Sequence, residues 1–175
     1  LSLLFFCFPS KLSNSQLDLF DKKNVKVTCF FLGWVAEQYP ELVVEARERG
    51  HEIASHGYSH QLVYKQSRLE FSEDISKAKD ILENITGEPV KGYRAPGFSL
   101  TDNTVWAFEE LAKTGYKYDS SIFPGPRGHG GIGNACFYIG NTCFCIGNAC
   151  CCIGTAEVLR FSVNFLPICL RRYPA

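Results

Sequence analysis

The sequence predicts an α/β fold in which parallel strands are joined by helical crossovers, as an open sheet or as a (β/α) barrel. Residues 14–124 alternate helical and extended patterns in the order α-β-α-β-α-β-α-β, the alternation that crossover units produce. The 175 residues, 46% of them apolar, suit one domain with a buried core. Residues able to do chemistry fall at the carboxyl ends of the strand candidates, where both architectures gather their sites.

The apolar run Leu1 to Phe8 reads as a truncated core strand that stops at Pro9; it lacks the basic n-region and small-residue cleavage site of a signal peptide. Asn14 or Ser15 can cap a short helix through Lys23. Val25 to Leu32, rich in β-branched and aromatic residues, reads as a buried strand ending at Gly33. Pro40 suits the first turn of a helix whose Leu42, Val43 and Ala46 face inward, and Gly50 is placed to end it. His51 to His56 is the next short strand. Ser67-x-x-Glu70 is a capping box, and Phe71, Ile75, Ala78, Leu82 and Ile85 follow at helical spacing until Gly87 and Pro89. Val90 to Arg94 is a strand candidate. Thr101 or Asp102 begins a helix that carries Val105, Phe108, Leu111 and Ala112 to Gly115, with Tyr116 to Asp119 as the following strand.

Charge excludes several function classes. Eighteen Lys+Arg balance eighteen Asp+Glu, so no net field draws the chain to nucleic acid or an anionic membrane. No apolar run approaches the ~20 residues needed to span a bilayer. Location stays open between the cytoplasm and the cell envelope. Composition changes near Pro124–Pro126: residues 125–175 carry only Arg127, Arg160, Arg171, Arg172 and Glu157 as charges, together with Cys136, Cys143, Cys145, Cys150, Cys151, Cys152 and Cys169. Three heptapeptides begin Ile132-Gly-Asn, Ile139-Gly-Asn and Ile146-Gly-Asn, a pattern that opposes both coiled coil and solenoid. A 21-base DNA repeat read as protein is the simplest origin. Cys143-x-Cys145 and Cys150-Cys151-Cys152 could chelate a soft metal as thiolates, but no pair has C-x₂-C spacing. The division is therefore 14–124 as a folded domain, 125–156 as a Gly/Cys-rich repeat expected to be disordered, and 157–175 as a tail.

Two constellations carry chemistry. In His51-Glu-Ile-Ala-Ser-His56-Gly-Tyr-Ser-His60 the first histidine starts a strand and is read as structural. His56 ends the strand, and His60 lies beyond a glycine that lets the chain turn, so both imidazoles can face one metal. In Gly92-Tyr93-Arg94-Ala95-Pro96-Gly97-Phe98, an arginine at a strand end beside a rigid Pro-Gly turn can hold a carboxylate while backbone N–H groups point into the crevice. Taken alone, an ordinary loop arginine in a surface ion pair is the better explanation of that residue.

Together with Thr28-Cys-Phe-Phe-Leu-Gly33-Trp34, Tyr93-Arg-Ala-Pro-Gly-Phe-Ser99 and Tyr118-Asp-Ser-Ser-Ile-Phe-Pro124, these segments resemble the polysaccharide deacetylases with the NodB homology domain. The subgroup associated with exosortase-type exopolysaccharide loci is the most similar. The resemblance runs from about Leu17 to Pro124. It implies a partial, distorted (β/α) barrel and a hydrolase that removes acetyl groups from amino sugars of a polysaccharide, cleaving a carbon-nitrogen non-peptide bond. It further implies a divalent metal, usually zinc, held by one aspartate and by the histidines that map onto His56 and His60. A second aspartate would be general base, Arg94 its pairing partner, and the amide of Gly97 an oxyanion donor. Trp34, Tyr58, Phe98 and Asp119 are the expected substrate contacts.

The departures from the family pattern are as specific as the likeness. The family's Asp-Asp motif on the first strand has no counterpart, because residues 1–13 contain neither Asp nor Glu. The later Leu-x-His motif is unmatched, since His129 sits in a Pro-Gly-rich stretch with no histidine after it. Two readings follow: a metal-dependent amidohydrolase whose missing ligand comes from another carboxylate such as Asp119, or a non-catalytic remnant that binds glycan or nothing.

Overall fold

The computed structural model describes residues 3–7, 14–122, 130–132, 136–139, 142–145 and 169–172. Strand β1 (Leu3–Cys7) leads through helix α1 (Asn14–Lys22) to β2 (Val27–Phe31), all five residues of which are buried. Helices α2 (Gly33–Gln38) and α3 (Pro40–Glu48) precede β3 (Glu52–Ser55). The long α4 (Arg68–Thr86) returns to β4 (Gly92–Tyr93), and α5 (Ala107–Lys113) to β5 (Tyr118–Ile122). The short β6 (Cys136–Ile139), β7 (Thr142–Cys145) and β8 (Cys169–Arg172) complete the described elements.

One sheet runs β1-β2-β3-β4-β5-β8, its first five strands parallel and β8 antiparallel to β5. Each crossover advances by one strand in the same direction. A doubly wound sheet reverses its strand order, whereas a barrel does not; with right-handed crossovers the helices then share one face. Accordingly α4 packs against α2, α3 and α5. The fold is a mixed α/β architecture of the (β/α)-barrel type, as the alternation predicts. Its core lies between sheet and helices: Val27, Cys29 and Phe31 of β2, Ile53 and Tyr93 meet Leu17, Val43, Ala46, Phe71, Ile75, Leu82, Phe108 and Leu111.

Helix α4 forms as its sequence dictates. Ser67 Oγ accepts from the Glu70 amide at 3.3 Å while Ser67 N donates to Glu70 Oε2 at 2.7 Å, closing the box. Phe71, Ile75, Ala78, Leu82 and Thr86 are its buried residues, and Gly87 ends it in a left-handed cap.

Other elements differ from expectation. Helix α2 has no counterpart in the sequence reading, since its six residues have no side-chain cap and are cut off from α3 at Tyr39-Pro40. The helix expected from Thr101 splits into a 3₁₀ turn over Asp102–Thr104 and then α5. This tighter turn shifts the phase and leaves Val105 53% exposed rather than inward. Strand β5 starts two residues late, because the Tyr116 amide still donates to Leu111 O and completes the helix end.

Of the proposed 125–156 repeat, the described part comprises 130–132 and the antiparallel pair β6–β7, with Cys136 opposite Cys145 and Ile139 opposite Thr142. Cys-Phe-Tyr-Ile and Thr-Cys-Phe-Cys are strand-favouring sequences. Cys150–Cys152, His129 and most of the 157–175 tail lie outside the described residues. Among the described residues no helix is long and apolar enough to cross a membrane.

Candidate active site

Parallel strands end together, and the ends of β2, β3 and β4 are stitched by backbone bonds. His56 N donates to Phe31 O at 2.7 Å, Arg94 N to Ser55 O at 2.9 Å, and Gly33 N to Gly57 O at 2.8 Å. The two chemistry-bearing loops, 56–60 and 94–99, are thereby held side by side.

His56 is 2% exposed, and its Nδ1 lies 2.6 Å from the backbone oxygen of Arg94. A carbonyl can only accept, so Nδ1 carries the proton and Nε2 is the lone-pair nitrogen. Burial pushes the imidazole pKa down to about 3, and His60 and Arg94 lower it further against the opposing pull of the carbonyl. A neutral ring oriented by its second nitrogen is the usual state of a metal-ligating histidine. His60 is half-buried, its pKa also lowered by burial, and its ring faces that of His56 edge-on at 5.3 Å between centroids.

The loop between the histidines takes an uncommon path. Gly57 has φ +77°, and a Cβ there would stand 2.7 Å from Asp74 Oδ2. His60 itself adopts φ 59° without being glycine. Asp74 of α4 accepts from the amides of Tyr58 (2.7 Å) and Ser59 (3.0 Å) and from Ser59 Oγ (2.5 Å).

Arg94 is neither a surface ion-pair residue nor an exposed clamp. It is 1% exposed, its Nε donates to Ser120 O at 3.1 Å and its Nη2 to Ser120 Oγ at 2.5 Å. The guanidinium lies 4.4 Å from the centre of the Phe30 ring and 5.3 Å from that of Phe98. Burial lowers its pKa to about 10, with Asp119 opposing the shift, so the group stays cationic at neutral pH. Gly97 is exposed in the turn after β4 with φ 61°.

The other expected substrate contacts stand in different local surroundings. Trp34 is 37% exposed on the first turn of α2, and Phe98 is half-buried against Arg94. The half-buried Tyr58 is turned to its neighbours: its hydroxyl donates to Glu37 Oε2 at 2.8 Å, and Lys77 Nζ stands 3.6 Å from its ring centre. Asp119 is 0% exposed, and its carboxylate accepts from the amide and hydroxyl of Ser121, whose Oγ in turn accepts from Ala95 N. It therefore braces the Arg94–Gly97 turn through Ser121. Among the described residues no group of three or more His, Cys, Asp or Glu stands together. The pair His56–His60 fits the histidine part of a divalent-metal site. The first strand, where the acidic part is expected, reads Leu-Leu-Phe-Phe-Cys.

Sequence reasoning missed Asp74, Ser120 and Ser121. The only available signal for Asp74 was an acid beside Ile75, at the edge of the buried stripe of α4.

Fold and site define a class: a barrel-type α/β protein with an imidazole pair at the carboxyl ends of its parallel strands, the arrangement from which hydrolytic metal sites are built. The particular family follows from comparison with known proteins. The chain belongs to the polysaccharide deacetylase family, whose sequence profile matches residues 2–118. It is 36% identical over 95 residues to a peptidoglycan-N-acetylglucosamine deacetylase of Bacillus cereus, covering 54% of this chain and 34% of that protein. Over 106 residues it is 31% identical to a peptidoglycan deacetylase of Helicobacter pylori, covering 61% and 35%. It thus spans about a third of the length of these relatives. A solved peptidoglycan N-acetylglucosamine deacetylase is similar with TM-score 0.57 at 32% identity, covering 62% of this chain and 52% of that one. A CE4-family pseudoenzyme from Bacillus anthracis shares the fold, with TM-score 0.58 at 20% identity over 63% of this chain and 40% of that one.

Proposed function

We propose that this chain is built to remove acetyl groups from amino sugars of a polysaccharide, and that it holds the histidine half of the site without the acidic half. The acetamide and water would yield the free amine and acetate. The observation that carries this reading is the facing imidazole pair, with His56 fixed by the Arg94 carbonyl so that Nε2 is its ligating nitrogen. His56 and His60 would hold a divalent cation, zinc by the family's habit, which when bound polarises water and the acetamide carbonyl.

The chain's own residues account for the rest. The turn at Gly97 is held rigidly enough, through Ala95 N on Ser121, to present a backbone donor to a developing oxyanion. Arg94, cationic and buried beneath the same turn, favours negative charge above it. Exposed Trp34 and half-buried Phe98 offer apolar faces to a sugar ring. Relatives named for peptidoglycan deacetylation support an acetylated amino-sugar polymer as the substrate class.

Among the described residues no carboxylate forms a group of three with the two histidines. A missing general base costs about 10²–10⁴-fold. The test is acetate release from an acetylated chitooligosaccharide with added Zn²⁺ or Co²⁺. The chain as given should show negligible turnover, and a variant with Asp-Asp in place of Cys7-Phe8 should gain turnover that His56→Ala removes. Metal-dependent turnover by the unmodified chain, abolished by His56→Ala, would overturn the half-site reading. No gain in the variant would count against the deacetylase reading.

A further inference from the structure

We propose that Asp74 is the positioning residue of the imidazole pair: from α4 it grips the three-residue loop between His56 and His60 and sets the backbone from which His60 meets His56. This rests on the reading that the two histidines act together. The loop contains no regular structure, yet both oxygens of one carboxylate take two successive amides and a hydroxyl from it. Hydrogen bonds to a charged acceptor are the stronger kind, and three on one group fix the peptide planes on both sides of Tyr58–Ser59.

The next residue, His60, adopts φ 59°, a strained conformation for a non-glycine residue that persists only where the surroundings over-determine it. Asp74 supplies that constraint. Gly57 shows how closely the fit is drawn, since any side chain there would enter the space of Asp74 Oδ2 at 2.7 Å. His56 needs no such help: its amide is tied to Phe31 O and its ring to Arg94 O. The histidine pair thus consists of one ring fixed by strand geometry and one fixed by a remote carboxylate.

A structural brace would also lower stability when removed, so the control is Glu70→Ala, which breaks the capping box of the same helix without touching the loop. NMR of the full chain supplies readouts independent of activity. In Asp74→Ala the NOE between the His56 and His60 rings should be lost, and the amides of Tyr58 and Ser59 should exchange at least about tenfold faster relative to the rest of α4. Residue-resolved Co²⁺ titration of the two imidazoles should show half-saturation raised about tenfold, the loss that an outer-shell partner typically causes. Asp74→Asn, which keeps an acceptor oxygen, should recover most of both effects, and Glu70→Ala should lower the unfolding midpoint while leaving NOE, exchange and Co²⁺ response in place. Retention of the ring NOE and amide protection in Asp74→Ala, or equal losses in Glu70→Ala, would overturn the assignment. Failure of Co²⁺ to shift both imidazoles of the parent chain would instead sink the half-site reading, leaving Asp74 to be judged by the NOE and exchange data.

Discussion

Strand β3 is flanked by two buried histidines whose protons sit on opposite nitrogens. At its amino end His51, 4% exposed and edge-on to Phe20, accepts from Val27 N through Nδ1 at 3.4 Å, so its proton lies on Nε2, which is buried with no hydrogen-bond partner among the described residues. At its carboxyl end His56 meets a carbonyl, and its proton lies on Nδ1. Burial lowers both pKa values, most strongly for His56. The difference teaches that burial alone does not make a ligand. A backbone N–H opposite Nδ1 consumes the lone pair, whereas a backbone C=O opposite Nδ1 places the lone pair on Nε2.

That contrast can be broken by substitution. His56→Leu should raise the Co²⁺ concentration that half-saturates the His60 imidazole by about 100-fold, because one of two ligands is lost, while His51→Leu should leave it unchanged. Equal effects, read by residue-resolved NMR, would erase the distinction.

Protonation sharpens it. The folded pKa of His56 lies near 3 against about 6.5 unfolded, so below pH 6.5 the unfolded chain binds a proton that the folded chain refuses. Its contribution to stability is full above pH 6.5 and is lost progressively as pH falls toward 3. Between pH 7 and pH 5 the parent chain should lose about 2 kcal/mol that His56→Leu does not lose, measured by urea unfolding. Parallel pH profiles for the two chains would contradict the buried neutral ring.

Asp119→Ala should cost about 1–2 kcal/mol by releasing Ser121 and the Ala95 amide, yet keep the His56–His60 NOE. Loss of the Co²⁺ response in that variant would restore Asp119 as a ligand. Ser67→Ala, far from both strand ends, should cost about 1 kcal/mol through the lost cap and nothing at either histidine.

Much of this was legible in the sequence. The parallel strands with helical crossovers followed from alternation, the α4 boundaries from Ser67-x-x-Glu70 and Gly87, and the histidine pair from its place after a strand. What escaped was set by contacts remote in sequence. Asp74 is 14 residues from His60, on an otherwise ordinary amphipathic helix, and nothing local marks its carboxylate as a loop anchor. The bond from Asp119 to Ser121 and on to the Ala95 amide joins β5 to the turn after β4, 24 residues apart in sequence, and nothing local announces it. Helix α2 was hidden by its length, since six residues give too few turns for a periodicity to show.

The central claim concerns which nitrogen of each histidine carries the proton, and imidazole ¹⁵N NMR of the metal-free chain at neutral pH reads this directly. The account predicts a pyrrole-type Nδ1 and a pyridine-type Nε2 for His56, with the reverse assignment for His51. A His56 ring protonated on Nε2, or charged on both nitrogens, would contradict it.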